Sequence, residues 1–282
     1  MGCVKYLPVA AAALLASAAL AVSSWLGVWP LTAVVGMICL MVALGWPQLM
    51  GVTARRSLSA VILCAGVVAA VGAAIVERVE SLFFWSSVAL AFGVMVVFII
   101  QVLRGTGRPH RLESTLGACA GVLVTTTAAG WVAGLRYPAG MAGAGDGGLG
   151  LLRVRGLLPY ENGSVLGVTG PGGELSVVAL ASFALLAGAL VACLPVRDAV
   201  VLPLTVLSAF AAALGTALFW GELTLLFAGV LGLAAGALLA CFRRFLVLQG
   251  PPAGRLSAMA VGAAPIAAMG AFVYFTERLL FA

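Results

Sequence analysis

Residues 82–111 read LFFWSSVALAFGVMVVFIIQVLRGTGRPHR. The first 22 carry no charge; residues 104–111 then hold three arginines and the chain's one histidine. As an α-helix, 22 residues reach about 33 Å, enough to cross a bilayer core of about 30 Å. A basic cluster directly after an apolar run is the usual anchor on the cytoplasmic side of a membrane. The same alternation recurs along the chain, with apolar runs near 7–24, 28–46, 58–76, 82–103, 115–134, 175–194, 199–219, 223–242 and 257–276. Composition agrees: 63% of the 282 residues are hydrophobic and 9% charged, against roughly 25% charged in a soluble domain. The expected fold is an all-α integral membrane protein, a polytopic bundle of about nine transmembrane helices with a small element on its outer face.

The connections orient the bundle. If the first run leaves the cytoplasm, Lys5, Arg55, Arg56, Arg104, Arg108, Arg111, Arg197, Arg243, Arg244 and Arg255 lie inside. Arg78, Arg136, Arg153, Arg155 and Arg278 lie outside, three of them in one long loop where the charge rule is weak. This predicts a multi-pass plasma-membrane protein with a cytoplasmic N-terminus and an extracytoplasmic C-terminus. A competing reading takes Lys5, the first run and Ala19-Leu20-Ala21 as a cleavable secretory signal, which leaves eight spans in the same orientation. Ser24 to Pro30 is expected to turn a hairpin between the first two runs. All six tryptophans (25, 29, 46, 85, 131 and 220) fall near run ends and are expected in the interfacial aromatic belts.

Three regions follow: transmembrane helices 1–5 over 1–134, a Gly-rich extracytoplasmic loop over 135–174, and helices 6–9 over 175–282. Within the loop, Asn162-Gly163 lies between the apolar stretches Leu151–Leu158 and Val165–Val168. Both residues tolerate positive φ, so this pattern predicts a small β-hairpin.

The net charge of +6 comes from short connections and not from a patterned basic face, so nucleic acid is not an expected partner. The six cysteines show no CxxC pair, and with one histidine there is no metal-ligand spacing, so no metal or other cofactor is expected. No Asp, Glu, Lys, Arg or His lies in mid-run, which argues against a proton relay through the bundle. On the outer face, Glu77, Glu80, Glu222 and Glu277 would form a polar vestibule if helices three, seven and nine were neighbours. On the inner face, Arg104, Arg108, His110 and Arg111 form a patch suited to an anionic head group. Gly117/Gly121, Gly130/Gly134 and Gly232/Gly236 have the spacing at which small residues let helices approach closely. Thr125-Thr126-Thr127 is the most polar cluster within a run and is expected to bond back to its own helix. Pro203 and Pro265 are expected to kink or break theirs.

The catalytic motifs of several membrane enzymes are missing. The chain lacks the Lys/Asp-rich stretch of lipid cytidylyltransferases, the paired aspartate motifs of membrane prenyltransferases and the in-bundle Ser/His of rhomboid proteases. It also lacks a Gly-rich Lys-Ser/Thr phosphate loop. Gly45-Trp46-Pro47-Gln48-Leu49, Gly107-Arg108-Pro109, Arg111-Leu112-Glu113-Ser114, Gly121-Val122 and Ala129-Gly130-Trp131-Val132 together resemble an actinobacterial family of uncharacterised multispan proteins described as permease-like. The similarity covers about residues 40–135. It implies a membrane location and a shared lineage. The leading expectation for function is a permease-like protein handling a small or lipidic solute, with membrane lipids as partners. The alternatives are a non-catalytic subunit or assembly factor of cell-envelope machinery, which would need a membrane protein partner, and a lipid-modifying enzyme. A cavity lined by Thr125, Pro203 or Pro265 would favour transport, a solid core with exposed Gly-lined grooves a partner, and convergence of the outer glutamates an enzyme.

Overall fold

The computed structural model describes residues 3–50, 55–76, 78, 81–104, 111–141, 176–194, 196–220, 225–250, 252 and 254–281. They form ten helices in chain order: α1 (Cys3–Leu26), α2 (Val28–Leu49), α3 (Arg55–Ile75), α4 (Phe84–Arg104), α5 (Arg111–Thr127), α6 (Ala129–Met141), α7 (Val177–Ala192), α8 (Asp198–Trp220), α9 (Leu225–Gln249) and α10 (Arg255–Phe281). No strand occurs among the described residues. The hairpin expected within 151–168 lies outside them.

All nine apolar runs are helical. Among the described residues, eight segments are long and apolar enough to cross a membrane, with α5 and α6 together forming one of them, Leu112–Arg136. The chain is therefore a multi-pass membrane protein. The sixth run differs: α7 has 16 residues, about 24 Å, shorter than a bilayer core. Val177 to Ala181, Ala184 and Leu185 are almost fully buried, and α7 packs on α1, α8 and α9. A helix buried on most sides is enclosed by protein and has little lipid contact to satisfy.

Gly27 makes the α1–α2 turn at φ +110°, a left-handed conformation that glycine adopts without Cβ strain. The expected hairpin is therefore present. In lipid, helices associate through close packing of small residues, and the glycine pairs do this. A Cβ on Gly232 would lie 2.7 Å from the Ala213 Cβ, and one on Gly236 2.6 Å from the Val206 Cα, so α9 rests directly on α8. Gly130 of α6 meets the backbone of Gly270 on α10, and Gly262 of α10 meets the Val9 carbonyl of α1. Helix α10 is the hub, packing on α1, α2, α5, α6, α7 and α9.

The fifth run was expected as a single helix but is interrupted at Ala128. The three threonines before the break bond back to their own turn, as expected: Thr126 Oγ1 donates to the Val122 carbonyl at 2.9 Å and Thr127 Oγ1 to the Val124 carbonyl at 2.9 Å. Neighbouring helices supply donors here, with Ser86 Oγ donating to the Thr126 carbonyl at 2.7 Å and Cys39 Sγ to the Thr125 carbonyl at 3.6 Å. Thr125 Oγ1 also donates across to the Ile62 carbonyl of α3 at 3.0 Å. Backbone oxygens at an interruption are thus satisfied inside the protein, as a membrane interior requires. Pro203 and Pro265, by contrast, are carried within helices that continue through them.

Two of the expected belt tryptophans are core residues. Trp46 is 4% exposed and donates from Nε1 to the Gly117 carbonyl at 2.8 Å. Trp131 is fully buried and donates to the Ile266 carbonyl at 2.8 Å. Both indoles tie one helix to another. Trp25, Trp29 and Trp85 are exposed, as belt residues are.

Candidate functional site

The helices place two contrasting polar positions at opposite ends of the bundle. The first is built where α7 gives way to α8. Ala192 ends α7 and leaves its last carbonyls without helical donors, as every helix terminus does. Asp198 opens α8, where a carboxylate is favoured by the helix dipole. From α9, Arg243 reaches both. Its Nη2 and Nε lie 3.0 Å and 3.2 Å from Asp198 Oδ1. Its Nη1 donates to the Ala192 carbonyl and, at 3.4 Å, to that of Leu194; Nη2 lies 3.4 Å from the Val196 carbonyl. The planar guanidinium, with five donors in a fixed fork, suits such a multi-acceptor role better than an ammonium would. The pair is partly buried, with 16% exposure for Arg243 and 27% for Asp198.

A cleft of about 570 Å³ opens beside this pair. Small-molecule sites run from roughly 300 to 1,000 Å³. Its walls are Leu7, Val9, Ala10 and Ala13 of α1; Ala189 and Ala192 of α7, with Cys193 and Leu194 just beyond; Leu239, Phe242, Leu246 and Val247 of α9; and Val261, Gly262 and Pro265 of α10. Among the described residues of this lining, Asp198 and Arg243 are the only ionisable side chains other than the Cys193 thiol. From Arg255 to Pro265 is ten residues, about 15 Å along the axis, so the cleft reaches from one end of the bundle to about half its depth. Pro265 has no N–H, so the carbonyl of Val261, one turn earlier, has no helical donor. The cleft is thus an apolar slot with an ion pair at one end and a prolyl interruption at the other. Pro265 lines it; Thr125 and Pro203 do not.

The second position is Glu277, in the last turns of α10. The expectation placed it in a solvated outer vestibule, but it is fully buried. A Cβ on Gly134 of α6 would lie 3.0 Å from its Oε2, so the absence of a side chain there makes room for the carboxyl. Neither carboxyl oxygen has a hydrogen-bond partner among the described residues. Arg136, two residues beyond Gly134, donates to the Ala73 carbonyl of α3 at 2.7 Å. Nearby, the rings of Phe83 and Tyr274 stack at 5.2 Å.

Of the other vestibule candidates, Glu77, Glu80 and Glu222 lie outside the described residues. The helices that lead to them are not packed together: α3 meets α2, α4, α5 and α6, while α8 meets α7 and α9. In the basic patch, Arg104 closes α4 and Arg111 opens α5, while Arg108 and His110 lie outside the described residues. No group of three or more potential metal ligands occurs among the described residues.

Sequence reasoning treated Arg243 and Arg244 as one membrane anchor and did not find the cleft. The available signal was Asp198, an acid directly after Arg197 in a connection read as cytoplasmic. Its partner 45 residues away had no local mark. No family model, curated protein or solved structure matches this chain.

Proposed function

We propose that this protein is a permease-like carrier of a lipidic solute in the plasma membrane, with the Arg243 end of the bundle facing the cytoplasm. The observation that carries the reading is the cleft. An apolar slot that reaches half the depth of the bundle and ends in a charged pair matches an amphiphile, with a chain to bury and a polar head to leave near water. Water-soluble solutes need several convergent polar groups to replace their hydration, and these walls supply few. The proposed orientation follows from the basic connections, since Arg197, Arg244 and Arg255 lie at the cleft end.

Mild-detergent purification of the tagged protein, with mass spectrometry of what accompanies it, tests the proposal. One enriched lipid is expected, and it should be lost from an Ala10→Phe variant, because Ala10 is a half-buried wall residue where a ring would fill the slot. The variant should still purify as a folded, monodisperse protein. Flip of that lipid across reconstituted vesicles should then require the open cleft. A stoichiometric protein partner with no enriched lipid would replace this reading with that of a membrane subunit.

A further inference from the structure

The rim of the cleft carries more charge than the ion pair uses. Arg197 directly precedes Asp198. Arg244 stands one turn before the wall residue Val247 on α9, and Arg255 two turns before the wall residue Gly262 on the same face of α10. All three are exposed, and none forms an ion pair with a described residue. These three stand beside the lining in sequence and not within it; together with Arg243 and Asp198 of the lining they sum to a net charge of +3. The acid is already engaged by Arg243, so a cationic head group would meet repulsion and no free carboxylate.

We infer that the cleft takes an anionic, phosphate-headed lipid, its chain along Ala10, Ala13, Phe242 and Pro265 and its phosphate among Arg197, Arg244 and Arg255. This deepens the proposed function and rests on it. Arginine is the side chain best shaped to hold phosphate oxygens, through paired N–H donors. The arginines stand at the end of an apolar slot, the arrangement in which chain and phosphate of one molecule are satisfied together. Arg243 stays with Asp198 and the α7 carbonyls and holds the mouth in shape.

The test is a lipid titration by native mass spectrometry, using phosphatidylglycerol and phosphatidylcholine of matched chains. The wild-type protein should retain the anionic lipid about tenfold more tightly or better, because arginines attract a net anionic head group. Arg197→Gln/Arg244→Gln/Arg255→Gln should erase that preference, weakening the anionic lipid more than phosphatidylcholine, whose choline offsets its phosphate charge. All three changes are on exposed side chains, so the fold should persist. Ala10→Phe should weaken both lipids. If both bind equally and both remain sensitive to Ala10→Phe, the head-group inference is overturned while the cleft reading stands. If binding of the anionic lipid is as tight in Ala10→Phe as in the wild-type protein, the arginines hold lipid around the outside of the bundle, and both fall.

Discussion

The two ends of this bundle treat a buried charge in opposite ways. At the cleft end, Arg243 and Asp198 are partly buried and densely bonded, with one guanidinium serving a carboxylate and three carbonyls. At the other end, Glu277 is more deeply buried and has no hydrogen bond among the described residues. Burial alone therefore does not indicate what a charged side chain contributes. The cost of removing a polar group from water is similar in kind at both ends, and the difference lies in what replaces the water. The guanidinium joins three helices and their connection. The carboxyl occupies a space opened by Gly134 and joins nothing.

The comparison breaks most directly at Arg243. Arg243→Met should destabilise the protein by about 2–3 kcal/mol, below the 3–5 typical of breaking a fully buried pair because both side chains retain some solvent contact. Thermal unfolding in detergent measures it. A change under about 0.5 kcal/mol would place the network among surface ion pairs of little consequence. At the other end the sign reverses. Glu277→Met keeps the shape and removes two unsatisfied acceptors, so it should stabilise by about 1–2 kcal/mol. If it destabilises the protein instead, the carboxyl has a partner or a task, and the contrast between the ends fails.

Asp198→Asn sharpens the first arm. The carbonyls of Ala192, Leu194 and Val196 still accept from Arg243, so only the charge-assisted part is lost, about 1 kcal/mol. In a double-mutant cycle with Arg243→Met, the two losses should fall well short of additive, because the residues share one network.

What the sequence disclosed and what it withheld follow the same physical line. Span positions were readable because a bilayer demands long uncharged runs, a one-dimensional property. The packing glycines were readable too, since a spacing of four fixes a helix face. Lateral position was not. Trp46 and Trp131 sit near run ends like the exposed tryptophans, yet they face inward, and distance from a run end says nothing about which way a helix face points. Glu277 was misjudged for the same reason, because proximity to the helix end suggested water while its face is turned to Gly134. The cleft is assembled from five helices drawn from both ends of the chain, and no local pattern announces a space that depends on their mutual placement. Composition supplied the membrane; the site needed tertiary contacts.

Between the ends, the interruption at Ala128 gives the smallest and most discriminating effect. Ser86→Ala removes a single donor to the Thr126 carbonyl and leaves the packing nearly unchanged. Hydrogen bonds between helices in membranes average about 0.6 kcal/mol, because the separated helices find other partners. The expected loss is therefore about 0.6 kcal/mol, measured by the same thermal unfolding. A loss above 2 kcal/mol would mean that the carbonyl has no other donor and that the break is held open by this serine. A polar group in the middle of the bundle would then resemble the networked Arg243 end, with its value set by the partner and not by depth. A loss near 0.6 kcal/mol would show that the break is secured by the packing of Gly130 against Gly270, with the hydroxyl only completing the bonding of a backbone already fixed in place.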